Sequence, residues 1–158
     1  MENQNMTDFM TQKITNRAGI DLIKTFEGCR LSVYLDMAGL PTVGYGHMNK
    51  NMLIGTHITQ DVADQLLKND LTLFETGVNT LVKSNINENQ FSALVCFSFN
   101  LGLGNLVSSS LLKFVNKEMY EQAANEFPRW NKVNGLEVEG LTQRRLSEQK
   151  LFRTPTLT

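Results

Sequence analysis

Two carboxyl residues have surroundings that could give them different chemical roles. Glu27 follows Ile20 and Ile23 at the spacing i, i+3, i+7, so it ends the apolar face of a predicted helix. Asp36 begins a turn-rich connector and therefore has polar surroundings. An apolar and a polar environment favour one general acid and one ionised partner at neutral pH. The alternative is a surface glutamate at a helix end and an aspartate that caps a turn.

The elements that position these two residues follow from caps and hydrophobic patterning. Asn16 is the predicted N-cap of a helix that runs to about Glu27, and Gly28 ends it. The runs 33–35 and 42–45 are rich in β-branched and aromatic residues and are separated by a turn. This pattern predicts a small antiparallel sheet directly after the helix.

A helical pattern follows the predicted sheet. Thr59 is the N-cap of a long helix that runs to about Lys83. Asn87 and Gln90 have the spacing of a capping box, and the helix they begin is apolar on nearly every face as far as Leu101, which is typical of a central core helix. Further helices are predicted over 109–116, 119–127 and 140–152.

Together these elements predict an α+β fold, in which a small sheet is followed by a helical majority. A chain of 158 residues has the usual length of one domain. We expect a single domain with a loosely held leader over about 1–16, a catalytic segment and sheet lobe over 17–58, a connecting helix over 59–83 and a helical lobe over 84–158.

The composition excludes several classes of function. With 15 basic and 16 acidic residues the formal net charge is -1, so the chain lacks the globally basic surface typical of nucleic-acid binding. Basic residues cluster over 144–153, which we interpret as the solvated face of a helix. The apolar runs are too short for a membrane-spanning helix or a signal peptide. Cys29 and Cys96 are predicted to be buried free thiols.

Residues 27–47, EGCRLSVYLDMAGLPTVGYGH, carry a more specific signal. Glu27 is followed after eight residues by Asp36, and after five more by Thr42. This pattern resembles the catalytic segment of the phage lysozymes of glycoside hydrolase family 24. The surrounding glycines, Tyr34 and the final histidine also match the family's positions.

Two further segments extend the resemblance. QFSALVCFSFNLG at 90–102 is similar to the family's central hydrophobic helix, and RWNKVNGLEVEGLTQRRLSEQKLF at 129–152 is similar to its tryptophan-containing loop and Arg-Arg helix. The similarity spans about residues 17–153. It implies a lysozyme-like fold, with the catalytic cleft between a small sheet lobe and a larger helical lobe joined by a long helix.

The resemblance implies a muramidase that hydrolyses the β-1,4 bond between N-acetylmuramic acid and N-acetylglucosamine in peptidoglycan. Glu27 would donate the proton to the leaving oxygen, and Asp36 would act as the base or as the electrostatic partner of the anomeric carbon. Thr42 would orient the attacking water through its hydroxyl. No metal and no organic cofactor are implied.

The resemblance also implies supporting residues. His47 and Asp70 would form a structural ion pair between the sheet and the long helix, without a metal. Arg144 would lie near Glu27, and Trp130 would lie in the core of the helical lobe. The residues expected to line the substrate cleft are Tyr34, Tyr45, Met48, Ser110 and Arg144.

The implied biology is that of a phage or prophage endolysin in host-cell lysis. We expect a monomer that acts on the glycan strands of peptidoglycan, without nucleic acid and without membrane insertion. Because no signal peptide is apparent, the protein is expected to stay in the host cytoplasm until a phage-encoded pore releases it to the periplasm. Two other interpretations are a non-catalytic glycan-binding module and an antibacterial toxin moved by a contractile secretion apparatus.

Overall fold

The computed structural model describes residues 12–157 of the chain. A first helix leads into a small sheet, and the remainder is mainly helical, so the predicted α+β fold is confirmed. The elements in chain order are α1 (Arg17–Glu27), β1 (Arg30–Leu35), β2 (Pro41–Gly44), β3 (His47–Met48), α2 (Gln60–Leu81), α3 (Glu88–Leu101), α4 (Leu103–Ser108), α5 (Ser110–Asn116), α6 (Tyr120–Ala124), a 3-10 helix (Phe127–Arg129), β4 (Lys132–Val133), β5 (Leu136–Glu137) and α7 (Glu139–Arg153).

The predicted helix boundaries agree with the capping contacts. The Asn16 side chain accepts a hydrogen bond from the backbone N–H of Gly19 at the start of α1, and Gly28, with φ of 69°, ends that helix. Asn87 and Gln90 make both hydrogen bonds of the predicted capping box at the start of α3. The local signals in the sequence therefore fix where these two helices begin.

Several short elements lie outside the sequence-based predictions, and two of them show why. The first is α4, whose six residues are too few for helical periodicity to be visible. The second is the hairpin of β4 and β5, where Asn134 and Gly135 both have positive φ, 51° and 80°. The Asn-Gly pair is a hairpin signal, but each flanking strand has only two residues and shows no alternation.

The three-stranded sheet has the order β1-β2-β3, and both pairings are antiparallel. Tyr34 pairs with Thr42, and Thr42 pairs with Met48, so these three side chains share one face of the sheet. The outer edge of β1 is covered by the loop before α2, where Ser32 bridges to His57. One of the two edges of the sheet is thus covered.

The core is centred on α3, whose residues 91–98 are all buried, as predicted for a central helix. Phe97 meets the partly buried Trp130 edge-on, with ring centroids 5.4 Å apart. Helix α1 packs on α3 through Ile23, which is fully buried in the same core. The candidate acid at the end of α1 is therefore positioned by the helices, although it precedes the sheet in the sequence.

The predicted leader lies mostly outside the described residues, and only its last part can be compared. The backbone N–H of Lys13 donates to Asn79 Oδ1 at 3.1 Å, and that of Thr15 donates to Glu75 Oε2 at 2.6 Å. Both acceptors belong to α2. The prediction of loose attachment is therefore wrong for the described end of the leader, because polar side chains of α2 satisfy its backbone.

The two cysteines differ in their exposure. Cys96 is fully buried in α3, and this burial raises the pKa of its thiol. Cys29 is exposed, so the prediction of a buried thiol is confirmed for Cys96 and wrong for Cys29. The reason is its position in the short link between α1 and β1, which faces solvent.

Within residues 12–157, none of the helices has both the length and the apolar character needed to cross a membrane. The same part of the chain contains no group of three or more His, Cys, Asp or Glu side chains arranged to bind a metal ion.

Gly19 permits the close approach of α1 to α3. A Cβ at this position would lie 2.8 Å from both Ser92 Cβ and Thr15 Cγ2. We expect Gly19→Ala to lower the free energy of unfolding by about 1–3 kcal/mol despite the higher helix propensity of alanine. Urea denaturation measures this change. Gly140→Ala in α7, where nothing lies within 4 Å, is the matched control and should not destabilise; equal loss in both variants would contradict the packing argument.

Candidate active site

An open cleft of about 600 Å³ lies between the sheet and the helices. Its walls come from the end of α1, the segment that includes β3, helix α2 and the end of α3. Apolar side chains of α2 and α3 form part of the wall, and carboxyl and amide groups form the rest. The polar and aromatic residues that line it include Glu27, Tyr45, His47, Asp70 and Asn100.

Glu27 is the last residue of α1, and its side chain points at an arginine of α7. Arg144 Nη1 donates to Glu27 Oε1 at 2.8 Å, although the two residues are 117 positions apart. The Glu27 side chain is 26% exposed, whereas that of Arg144 is 6% exposed. The dry environment predicted for Glu27 is therefore wrong, because the helix ends at the cleft and leaves the carboxyl group partly solvated and ion-paired.

Asp36 occupies the turn that connects β1 to β2. Its Oδ1 accepts hydrogen bonds from the backbone N–H groups of Ala38 and Leu40, at 2.9 and 2.8 Å. This is the turn-capping arrangement that the sequence left open as an alternative. Among the described residues no hydrogen bond is made to Oδ2, so one carboxylate oxygen remains for a ligand or water.

Thr42 is almost fully buried at the start of β2. Its hydroxyl donates to the backbone carbonyl of Leu40 at 2.9 Å. The Leu40 residue therefore contacts both candidate side chains, since its N–H binds Asp36 and its carbonyl binds Thr42. The turn holds Asp36 and Thr42 in a fixed relation to each other.

The residues predicted for the cleft wall are only partly brought together. Tyr45 and Met48 line the cleft with Glu27. Tyr34, Ser110 and Arg144 are not among the residues that line it, and neither are Asp36 and Thr42. Instead the guanidinium of Arg30 lies 4.3 Å from the Tyr34 ring centroid, and Ser110 is the exposed first residue of α5.

A polar cluster between α1 and α2 fixes the hydroxyl group of Tyr45. Gln60 Nε2 donates to Tyr45 Oη at 3.0 Å and to Asp64 Oδ1 at 2.9 Å, and Lys24 Nζ is 3.1 Å from the same Asp64 oxygen. Burial raises the pKa of Tyr45, and the hydrogen bonds from Gln60 and Lys24 lower the pKa of Asp64. The phenol thus stays neutral while Asp64 stays ionised at neutral pH.

His47 and Asp70 are in contact, as the family resemblance implied. His47 Nδ1 lies 2.9 and 3.0 Å from the two carboxylate oxygens of Asp70. The pair joins β3 to the middle of α2, and both side chains are partly exposed at the cleft. The contact links the sheet lobe to the connecting helix.

The interpretation of residues 144–153 as a solvated helix face is wrong for its first part. Arg144 and Arg145 are buried, and both lie close to Glu148, which is fully buried as well. Glu148 follows the arginines by four and three residues, so it lies on the same side of α7 and can pair with them where that side is buried. That spacing is the signal in the sequence from which Arg145 and Glu148 could have been found.

Comparison with known proteins identifies relatives over most of the chain. The family model described as phage lysozyme matches residues 24–148. The endolysin of Salmonella phage P22 is 37% identical over 138 residues, which cover 85% of this chain and 94% of that protein. The muramidase domain of SpmX from Asticaccaulis excentricus has a TM-score of 0.83 and 37% identity, over 90% of this chain and 99% of that one.

A longer relative matches the same region. The endolysin of Bacillus phage PZA is 43% identical over 146 residues, which cover 89% of this chain and 55% of that protein. The chain therefore spans about half the length of this relative. The segment matched by the family model contains Glu27, Asp36, Thr42 and Arg144. On the extent of these matches, the chain belongs to the phage lysozyme family.

Proposed function

We propose that the chain is a muramidase that hydrolyses the β-1,4 bond between N-acetylmuramic acid and N-acetylglucosamine in peptidoglycan. The observation that carries this proposal is the position of Glu27 at the wall of an open cleft, in a 2.8 Å ion pair with buried Arg144. The names of the relatives, endolysin and muramidase domain, support the same class of substrate. No metal or organic cofactor enters the proposed reaction.

In the proposed reaction Glu27 donates a proton to the glycosidic oxygen while the bond between that oxygen and C1 of N-acetylmuramic acid breaks. Water attacks C1 and gives a proton to Asp36, whose free Oδ2 also stabilises the positive charge that develops on the sugar. The Thr42 hydroxyl proton is committed to Leu40, so the hydroxyl oxygen is left to accept a hydrogen bond from that water. Exchange with solvent then returns one proton to Glu27 and removes one from Asp36.

The proposal includes the biological setting. We infer a single catalytic domain that acts as a monomer on glycan strands and serves a phage or prophage as an endolysin. In this setting the protein stays in the host cytoplasm until a phage-encoded pore admits it to the periplasm. The endolysin names of several relatives support the role in lysis.

Mass spectrometry of fragments released from purified peptidoglycan tests the proposed activity. We expect soluble fragments that end in a reducing N-acetylmuramic acid, together with a fall in turbidity of permeabilised Gram-negative cells in the presence of a chelator. Fragments that end in reducing N-acetylglucosamine would show that another bond is cleaved. Binding to insoluble peptidoglycan without any soluble product would support the non-catalytic module instead.

Thr42→Val tests the proposed contact with water. Valine keeps the branched shape of this buried side chain and removes only the hydroxyl. We expect kcat to fall about 10–100-fold with KM nearly unchanged, because orientation of the nucleophile is lost while glycan binding is kept. Thr42→Ser retains the hydroxyl and should keep most of the activity. A rise in KM alone would assign Thr42 to substrate binding.

A further inference from the structure

Helix α7 places a chain of alternating charges beneath Glu27. Arg145 and Glu148 are both 0% exposed, and the Nε and Nη2 atoms of Arg145 donate to Glu148 Oε1 and Oε2 at 2.7 and 3.0 Å. Arg144 lies between two carboxylates, with Nη1 2.8 Å from Glu27 Oε1 and Nε 3.6 Å from Glu148 Oε2. The order of charges from the cleft inward is Glu27, Arg144, Glu148 and Arg145.

Arg144 depends on these two carboxylates for its position. Among the described residues its buried Nε and Nη2 atoms have no hydrogen-bond partner, and the Phe26 ring centroid is 5.8 Å from the guanidinium. A buried arginine cannot lose its proton and needs negative charge nearby. When Glu27 is protonated, as the proposed acid step requires, Glu148 is the carboxylate that still compensates Arg144.

Glu148 is fully buried, so its charge is governed by its protein neighbours. Burial raises the pKa of the Glu148 carboxyl, and the guanidinium groups of Arg145 and Arg144 oppose this rise. Arg145 donates to both Glu148 oxygens and cannot release its proton, so this bidentate contact holds Glu148 as a carboxylate. A buried negative charge is therefore present behind Arg144 in both protonation states of Glu27.

We propose that Glu148 is a positioning residue for the acid step, an inference that rests on the muramidase function proposed above. Its carboxylate keeps Arg144 beneath Glu27 and offsets one of the two arginine charges. With Glu148 present, the four side chains are neutral when Glu27 is ionised and carry +1 when it is protonated. Without Glu148 the protonated state would carry +2, and proton uptake by Glu27 would be opposed.

The other charges around Glu27 are largely compensated by local partners. Lys24 is paired with Asp64, and His47 is paired with Asp70. Asp36 is fixed by its turn in the sheet lobe. Lys24 and Cys29 are the titratable groups on its own helix and in the link after it, and Tyr45, His47 and Asp70 are those that line the cleft with it.

Glu148→Gln and Arg145→Gln remove opposite charges from the same chain of contacts, and together they test the inference. In Glu148→Gln the alkaline limb of the pH profile of kcat/KM should move to lower pH by about one unit, because the remaining positive charge favours loss of the Glu27 proton. In Arg145→Gln the limb should move to higher pH by a similar amount. A merely structural role would lower activity in both variants without opposite displacements.

Glu121→Gln is the matched control for the loss of one carboxylate. It breaks an exposed pair with Arg153 outside the cleft and should leave the pH profile unchanged. Thermal unfolding establishes whether each variant folds. If Glu148→Gln does not fold, Arg145→Gln alone decides, because an unchanged or acid-shifted limb in that variant would overturn the inference.

Carbon-13 NMR of the labelled Glu27 carboxyl follows its protonation without turnover. Opposite displacements of its titration curve in Glu148→Gln and Arg145→Gln would support the inference even if wild-type protein released no sugar, in which case the proposed function alone would fail. Coincident curves in the wild type and both variants would overturn the inference, and hydrolysis by the wild type would leave the proposed function standing.

Discussion

Glu27→Gln is expected to reduce peptidoglycan hydrolysis by at least about 10²–10⁴-fold, the range typical for loss of a general acid. Glutamine keeps the shape of the side chain, and its amide oxygen can still accept the hydrogen bond that Arg144 donates to Glu27. The glutamine amide has no acidic proton that it could transfer to the leaving oxygen. Initial rates of soluble-fragment release from purified peptidoglycan measure the loss, with circular dichroism as the check on folding.

Glu88→Gln provides the matched control for this variant. Glu88 is an exposed residue in the first turn of α3 and lies outside the cleft. Its substitution changes the charge in the same way and should leave the rate at the wild-type level. A near-wild-type rate in Glu27→Gln would mean that the assignment of the active site is wrong.

Asp36→Asn is expected to lower kcat about 10²–10³-fold, the usual cost of removing one electrostatic contact to the transition state. The side-chain oxygen of asparagine can accept the same bonds from the N–H groups of Ala38 and Leu40, so the turn should be retained. What is lost is the negative charge opposite the developing positive charge on the sugar. Single-turnover kinetics on a defined glycan separates this loss from any change in binding.

Asp36→Ala and the first product anomer sharpen the interpretation of Asp36. Alanine removes the turn contacts as well as the charge, so this variant should lose stability that Asp36→Asn keeps. Proton NMR of the wild-type reaction shows which anomer forms first. An initial α product from the β bond indicates attack by water with inversion, as proposed, whereas an initial β product would make Asp36 a nucleophile.

Local signals in the sequence were sufficient for most of the fold. Asn16, Gly28 and the Asn87–Gln90 capping box marked helix ends, because caps act within a few residues and leave a trace in the sequence. The apolar residues on nearly every face of α3 likewise identified the central helix. The contact of His47 with Asp70 required the family resemblance, since the two residues share no local pattern.

The environment of Glu27, the candidate acid, could not be derived from local signals in the sequence. The partner of Glu27 is Arg144, on the last helix, and no local rule connects residues so far apart in sequence. Charge is usually exposed, so the sequence predicts a solvated face for the basic residues of α7. The burial of Arg144 and Arg145 against Glu148 becomes evident only when the helix is packed. The hydrogen bonds of Leu40 with Asp36 and Thr42 could not be derived from the sequence either, since they depend on the folded turn.

The hydrogen bonds of Asp36 and Thr42 to Leu40 place the candidate catalytic residues in two different parts of the fold, the sheet and the helices. Those two side chains are held on the sheet, whereas Glu27 ends a helix that packs into the helical core through Ile23. In the proposed reaction, the separation between the proton donor and the water therefore depends on how the sheet is placed against the helices. If the proposed reaction holds, a glycan strand that contacts both the sheet and the helices would set this separation by its own binding, and we expect faster hydrolysis of long strands than of short sugars that touch one side only.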